Sequence, residues 1–299
     1  MKTPGGIVWI ASFPKSGSTW FRIFLSNLTA GENGPADINN LDERGGIASS
    51  REGFEAVTML DSGLLTCDDI DNLRPRVYAA IAGDTTEQRW FKVHDAYTLT
   101  PNGEPMFSSC GARAAVYLVR DPRDVAVSLA YHSNTTIDHA IKFLNSTDAA
   151  LCRERKGMPP QLRQKLHCWT GHVSSWLDQT DLPIHTLRYE DLLADPIACF
   201  SAALRFAERP ATPAEIERAM YNAEFTKLQR QEEEKGFAER MSRTAPFFRS
   251  GGAGGWRDKL TAEQIARIEG MHAPMMQRLG YELSLVPRSA TANDQMTAL

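Results

Sequence analysis

A short apolar run near residue 10 stops abruptly at a turn that leads into a second apolar pattern. Ile7–Phe13 is almost wholly apolar, and residues 14–18 supply Pro, Lys, Ser, Gly and Ser. A short apolar run that ends in turn residues is typical of a buried strand. From Trp20 to Leu28 the apolar residues recur at helical spacing. We therefore predict a strand, a tight turn and a helix in this part of the chain.

Strand and helix patterns continue to alternate along the rest of the sequence. Further strands are predicted at Trp90–His94, Ala114–Val119 and Ile184–Leu187. Helices are predicted at Asp124–His132, beyond Pro196, at Pro213–Leu228 and at Thr261–Leu279, with Ala30–Ser50 irregular and Gln231–Arg243 charged and exposed. This alternation predicts an α/β fold with a central, mainly parallel sheet flanked by helices. Ligands of such sheets bind at the carboxyl ends of the strands.

Length and composition set the broad class of the protein. The chain has 299 residues, of which 42% are hydrophobic, and this is enough to bury a full core. We expect one domain over residues 1–283 and a flexible tail over residues 284–299. A net charge of −4 argues against a nucleic-acid-binding protein, although it allows a local basic pocket.

The sequence also argues against a membrane protein and a disulfide-rich one. No apolar run approaches the roughly 18–20 residues that span a bilayer, and the Ile7–Phe13 run, ended by Pro14, does not resemble a signal peptide. The five cysteines are scattered without CxxC spacing, at positions 67, 110, 152, 168 and 199. Such cysteines are typical of reduced thiols, so we expect a cytoplasmic protein.

The turn after the first strand has the chemistry of an anion-binding site. The start of a helix offers free N–H groups and the positive end of the helix dipole. Gly17 lets the backbone approach an anion, and Lys15 adds a positive charge. Hydroxyl donors come from Ser16, Ser18 and Thr19. The turn lacks the GxxxxGK[ST] spacing of P-loop nucleotide-binding proteins.

Residues 13–20, FPKSGSTW, closely resemble the 5′-phosphosulfate-binding loop of sulfotransferases that use PAPS (3′-phosphoadenosine 5′-phosphosulfate), which is YPKSGTTW-like. Phe13 and Ser18 are the only differences. The resemblance is to the cytosolic, small-molecule type. It implies a P-loop-like three-layer fold, PAPS as the sulfo donor and PAP (adenosine 3′,5′-bisphosphate) as the product, with Trp20 stacked on the adenine.

Two more segments resemble family elements that hold the 3′-phosphate of the donor. Arg120 and Ser128 stand eight residues apart after the strand at Ala114–Val119, as an arginine and a serine do in the family. A guanidinium binds phosphate through two hydrogen bonds, which suits this role. Residues 249–257, RSGGAGGWR, resemble the RKGxxGDWK loop. By resemblance, Arg249 and the amides of Ser250 and Gly251 close over the 3′-phosphate.

The resemblance also has departures and single-residue matches. Ser250 replaces a lysine and Gly255 an aspartate, so donor affinity is expected to be weaker than in the family. Tyr189 matches the tyrosine that hydrogen-bonds the adenine, and Phe225 matches the aromatic residue beside the base. Ala223 replaces the usual threonine near that base.

Lys15, Lys92 and His94 are the candidate catalytic residues. Lys92-Val93-His94 resembles the family's KxH segment, and a strand places Lys92 and His94 on one face. Histidine is a natural base near neutral pH, and Asp95 is a candidate to orient its ring. Sulfo transfer needs positioning and charge stabilisation, which lysines can supply. The sequence shows no metal-ligand cluster, so no metal is expected.

The sequence leaves the acceptor and two rival functions open. The acceptor is a phenol, an alcohol, a sugar or a peptide hydroxyl, with a small molecule preferred, and residues 31–88 and 133–181 are expected to shape its pocket. A P-loop kinase would need ATP and Mg²⁺, and a non-catalytic nucleotide-binding protein would show no turnover. A dimer segment of the family is only partly kept at residues 257–266, so no oligomeric state is predicted.

Overall fold

The computed structural model describes residues 5–41, 45–84, 86–108, 111–153, 159–240 and 246–284. In these ranges lie the strands β1 (Gly6–Ser12), β2 (Gly45–Ile47), β3 (Gln88–Val93), β4 (Ala112–Val119), β5 (Ala150–Leu151), β6 (Gln164–Lys165) and β7 (Ile184–Arg188). Five of them form a parallel sheet in the order β2-β3-β1-β4-β7, and β5 and β6 form a separate antiparallel pair. The predicted tail residues 285–299 lie outside the described part of the chain.

Helices connect and cover these strands. They are α1 (Ser18–Ala30), α2 (Arg51–Thr58), α3 (Cys67–Gly83), α4 (Pro122–His132), α5 (Ile137–Asn145), α6 (Trp169–Leu177), α7 (Tyr189–Ala194), α8 (Pro196–Phe206), α9 (Pro213–Asn222), α10 (Phe225–Lys235) and α11 (Ala262–Arg278). Capping residues fix several starts: Thr212 and Thr261 form capping boxes at α9 and α11. None of the helices in the described ranges is long and apolar enough to cross a membrane.

The sheet is buried on both faces, as a parallel sheet with helical crossovers requires. Along β1, Ile7, Trp9 and Ala11 pack into the core formed with α3, α4, α5, α6 and α11. Val8 and Ile10 pack into a second core with α1, α8 and α9 on the other face. The predicted α/β fold with a central parallel sheet flanked by helices is confirmed.

The carboxyl ends of four neighbouring strands bring the sequence motifs to one edge of the sheet. The turn at residues 13–17 follows β1, His94 follows β3, Arg120 follows β4 and Tyr189 follows β7. In the register, Ala11 pairs with Val93 and Ser12 with Leu118. Residues far apart in sequence therefore meet at this edge.

Two sequence predictions about the last third of the chain are wrong. The single helix predicted over Pro213–Leu228 breaks after Asn222, where the Ala223 carbonyl accepts a hydrogen bond from Trp20 Nε1 at 3.0 Å. The segment Gln231–Arg243, described as far as residue 240, is not simply exposed. Glu232 is buried, and its carboxylate is satisfied there by the backbone N–H groups of Phe247 and Phe248.

Candidate active site

A cavity of about 890 Å³ opens at the carboxyl edge of the sheet. The residues proposed from sequence for donor binding and catalysis line it, with the exception of Ser16: Lys15, Gly17, Ser18, Thr19, Trp20, Lys92, His94, Arg120, Ser128, Tyr189, Phe225, Arg249, Ser250 and Gly251. Separate sequence motifs thus share one cavity, although their individual roles remain predictions.

The turn before α1 leaves its hydrogen-bond donors available. Lys15 and Gly17 have positive φ angles of 71° and 103°, and α1 starts without a side-chain cap. A Cβ atom at Gly17 would lie 2.7 Å from Cδ2 of Tyr189, so only glycine fits there. Ser16 Oγ is buried and has no hydrogen-bond partner within the described ranges. Uncapped amides and an unsatisfied hydroxyl suit a bound anion such as a phosphosulfate group.

Positive charge is concentrated beside this turn. Burial, reinforced by Lys92 and Arg120, lowers the pKa of Lys15 from 10.5 to about 7. The Nζ atom of Lys15 lies 4.2 Å from the ring centre of Phe247. Burial and the nearby Lys15 also lower the pKa of His132 to about 4. A bound anion would relieve this accumulation of positive charge.

The hydrogen bonds of His94 define its tautomer. Its Nδ1 lies 2.8 Å from the carbonyl oxygen of Ser12, and since a carbonyl only accepts, Nδ1 must carry the proton. Burial, with the Lys92 ammonium nearby, holds the pKa of His94 well below its usual range. His94 is therefore neutral near pH 7 with its lone pair on Nε2, and its side chain lines the cavity.

A buried hydrogen-bond network holds the backbone carbonyl of His94. His172 Nε2 donates to the His94 carbonyl oxygen at 2.9 Å, and the Tyr117 hydroxyl lies 2.8 Å from His172 Nδ1. Burial lowers the pKa of His172 to about 4 and raises that of Tyr117, so both groups stay neutral at pH 7. The position of His94 is thus set by neutral hydrogen bonds on both sides.

The proposed role of Asp95 as the partner of the His94 ring is wrong. The Asp95 carboxylate makes a bidentate contact with the Arg74 guanidinium, at 2.9 and 2.8 Å, in the protein interior. Both residues lie after the end of β3 at Val93, so the alternation of a strand does not apply to them. The Ser12 carbonyl orients the imidazole instead.

The glycine-rich loop at residues 249–255 is tied to the sheet edge. Arg120 donates to the carbonyl oxygen of Gly252 at 2.8 Å and to that of Lys15 at 3.2 Å. The Tyr189 hydroxyl donates to the Gly251 carbonyl at 2.6 Å. Arg120 therefore links the turn after β1 to this loop, and its Nε is buried without a partner in the described residues.

Asp124 anchors the other end of the loop, a role that the sequence reasoning missed. Its carboxylate accepts the backbone N–H groups of Gly254 at 2.6 Å and Trp256 at 3.0 Å. The backbone on both sides of Gly255 is therefore held by a carboxylate from α4. The position of Asp124, four residues after Arg120, was the sequence feature that could have pointed to this role.

The remaining residues predicted from sequence to bind the donor also line the cavity. Phe225 lies so close to Gly251 that a Cβ at Gly251 would come within 2.6 Å of the ring. Trp20 is half-buried and packs edge-on against Tyr189, with ring centres 6.1 Å apart. The exposed Arg249 guanidinium lies 4.0 Å from the ring centre of Tyr131. Ser128 is half-buried and Ser250 exposed.

Glu239 is an acidic residue in the cavity wall that the sequence reasoning assigned to an exposed segment. Its carboxylate lies 2.8 Å from Lys92 Nζ and 3.3 Å from Thr19 Oγ1, and it also contacts Arg22. Burial opposes its charge, but Lys92 and Arg22 outweigh burial and hold its pKa well below the usual range. Because its neighbours in the sequence are also charged, the sequence pattern did not distinguish Glu239 from exposed residues.

Another part of the cavity wall comes mainly from α4, α5 and the chain beyond them. It includes Val127, His132, Phe143, Leu151 and Gln161. Residues 31–88, which were expected to shape an acceptor pocket, contribute no lining residue in their described part. Over the described residues, no group of three or more His, Cys, Asp or Glu side chains is arranged to hold a metal ion.

Comparisons with known proteins agree with this geometry. A sequence model described as "Sulfotransferase domain" matches residues 6–280. The chain is similar to cytosolic sulfotransferase 17 of Arabidopsis thaliana, with 25% identity over 91% of this chain and 75% of the relative. It is also similar to flavonol 3-sulfotransferase of Flaveria bidentis, with 23% identity over 88% of this chain and 79% of the relative.

A solved structure of retinol dehydratase in complex with retinol and PAP shares the fold. Its TM-score is 0.57 at 21% identity, over 93% of this chain and 83% of the other. The match of the domain model covers nearly the whole described part of the chain. This protein belongs to the sulfotransferase family.

Proposed function

We propose that this protein transfers a sulfo group from PAPS to a hydroxyl group of a small-molecule acceptor and releases PAP. One observation carries the proposal: the uncapped anion-binding turn with Lys15 and the neutral imidazole of His94 face the same cavity. An anionic donor and an uncharged nucleophile need these two environments side by side.

The donor half of the cavity would divide into three parts. The amides and hydroxyls of residues 16–19, with Lys15, would hold the 5′-phosphosulfate. The 3′-phosphate would lie among Arg120, Ser128, Arg249 and the amides of Ser250 and Gly251. Three aromatic side chains would enclose the adenine: Trp20, Tyr189 and Phe225.

When bound, PAPS supplies a sulfo group joined to a phosphate oxygen that can leave. His94 Nε2 would accept the proton of the acceptor hydroxyl as its oxygen bonds to sulfur. Lys15 would stabilise the negative charge that collects on the phosphate oxygen as the sulfur–oxygen bond breaks. Lys92, beside His94 on the same cavity wall, would hold the sulfo oxygens.

The part of the cavity wall formed by α4, α5 and the chain beyond them supports a small acceptor. It combines apolar surface at Val127, Phe143 and Leu151 with polar groups at His132 and Gln161, as ligand pockets commonly do. A relative of this chain is named for a flavonol, a small molecule with hydroxyl groups. A hydroxylated aromatic compound is therefore the first acceptor class to test.

The test is transfer of labelled sulfate from PAPS to a panel of phenols and alcohols, with EDTA present to remove divalent metals. We expect labelled product and stoichiometric PAP. Calorimetry should show PAP binding without metal and weaker binding of ATP, which lacks the 3′-phosphate. Transfer of phosphate from ATP with Mg²⁺, and none from PAPS, would instead identify a kinase. PAP binding without turnover on any acceptor would indicate a non-catalytic nucleotide-binding protein.

A further inference from the structure

The chain after α10 brings Glu239 into the cavity. Gly236, with φ of 73°, ends the helix, and the buried ring of Phe237 packs against Phe247 and Phe248 with ring centres 4.7 and 5.3 Å away. This apolar anchor fixes the backbone two residues before Glu239. The carboxylate then contacts residues of β3 and α1.

Glu239 contacts three groups on these two elements. Oε2 lies 2.8 Å from Lys92 Nζ and 3.3 Å from Thr19 Oγ1, and Oε1 contacts Arg22 Nη1. Thr19 lies in the first turn of α1, directly after the anion-binding turn, and Lys92 lies two residues before His94. One carboxylate therefore connects the turn that would hold the donor to the lysine beside the candidate base.

The charges around Glu239 favour a fixed carboxylate over one that the donor displaces. The side chain of Arg22 is only 5% exposed. Moving Glu239 away would leave the buried Arg22 guanidinium without this carboxylate, and an uncompensated buried charge is strongly unfavourable, so Glu239 should remain against Arg22 when an anion binds. The same carboxylate accepts from Lys92 Nζ at 2.8 Å, so the lysine ammonium is held against a carboxylate that is itself fixed.

We propose that Glu239 is a positioning residue for sulfo transfer, which holds the Lys92 ammonium in a fixed place between the anion-binding turn and His94. The inference rests on the proposed function. Its chemical purpose is preorganisation: a cation held where negative charge gathers needs no rearrangement during the reaction. The charged and titratable groups facing Glu239 are Lys92, Arg22, Lys15, His94 and His132.

The experiment compares Glu239→Gln, Glu239→Asp and the matched control Glu233→Gln, which makes the same change at an exposed site on α10. For Glu239→Gln we expect kcat to fall about 10- to 100-fold, with the Kd for PAP within about threefold of wild type. Glu239 raises the pKa of Lys15, so the alkaline limb of the rate profile should move to lower pH. Glu239→Asp keeps the charge and should keep the wild-type alkaline limb.

A double-mutant cycle tests whether Glu239 acts through Lys92. If it does, Glu239→Gln should reduce kcat much less in a Lys92→Met background than in the wild type. Thermal unfolding and PAP binding show whether each variant is folded, and Glu239→Ala, which also removes the carboxylate, takes the place of Glu239→Gln in the cycle if the latter does not fold.

The inference would be overturned by an unchanged kcat in Glu239→Gln or by additive losses in the cycle. PAP binding more than about tenfold tighter in Glu239→Gln would also overturn it, because Glu239 would then be an anion that competes with the donor. An equal loss in Glu233→Gln would also remove the assignment. If the wild type transfers no sulfo group from PAPS, the proposed function itself fails. Wild-type transfer is therefore measured before any variant is made.

Discussion

The affinity of the cavity for PAP should fall as the pH rises above neutrality, because Lys15 then loses its proton. Burial, then Lys92 and Arg120, lower the pKa of Lys15 to about 7 in the ligand-free protein. Phosphate bound beside Lys15 favours the charged amine, so the pKa of Lys15 must be higher in the complex. Between these two pKa values, binding and proton uptake are coupled.

The size of the effect follows from that pKa. Below pH 7 Lys15 is charged in both states, and this residue gives no pH dependence. At pH 8 roughly one Lys15 in ten is charged in the free protein, so each PAP should take up about 0.9 proton. The Kd should rise about tenfold per pH unit above 7 until the pKa of the complex is reached.

Isothermal titration calorimetry in buffers of different ionisation enthalpy measures this proton uptake directly. Above pH 7 the PAP phosphates are almost fully ionised, so they contribute little. Lys15→Arg keeps a charge at every accessible pH and should abolish the uptake. Lys235→Arg, at an exposed position on α10, should leave it unchanged. Uptake near zero at pH 8 in the wild type would refute a Lys15 pKa near 7.

Three further substitutions separate the catalytic, binding and structural roles. His94→Ala should lower kcat about 10²- to 10⁴-fold, while the calorimetric Kd for PAP stays within about threefold; wild-type rates with an aliphatic alcohol would exclude His94 as the base. Arg120→Ala should weaken PAP binding at least about tenfold and reduce its dependence on salt, and an unchanged affinity would contradict the 3′-phosphate assignment. Arg74→Met should lower the free energy of unfolding by about 3–5 kcal/mol, because Asp95 loses its buried guanidinium partner. Urea denaturation within about 1 kcal/mol of the wild type would show that this pair adds little.

The predictions that local sequence determines agree best with the structure. The strand, turn and helix around Lys15 depend on apolar period and turn residues within about fifteen positions. The other motifs follow strand ends, and a parallel sheet brings those ends to one edge whatever the intervening sequence. Fold class and the meeting of Lys15, His94 and Arg120 in one cavity therefore followed from short segments.

The errors concern contacts between distant residues. Glu239 lies 147 residues from Lys92, and in sequence it is one of several charges after an exposed helical stretch. Asp95 next to His94 suggested a pair, but its partner Arg74 comes from α3, which the sequence reasoning did not identify. The helix break at Ala223 depends on a hydrogen bond from Trp20, over 203 residues. Such partners are chosen by packing, which single-sequence patterns do not contain.

The hydrogen bonds that hold the glycine-rich loop affect the free energy of donor binding. The Tyr189 hydroxyl donates to the Gly251 carbonyl, and the Arg120 guanidinium donates to the Gly252 carbonyl. A nucleotide that uses these groups must replace existing bonds, so association is an exchange of partners in which the number of hydrogen bonds changes little. The affinity for a nucleotide therefore reflects the difference between two sets of hydrogen bonds and not the sum of the new ones.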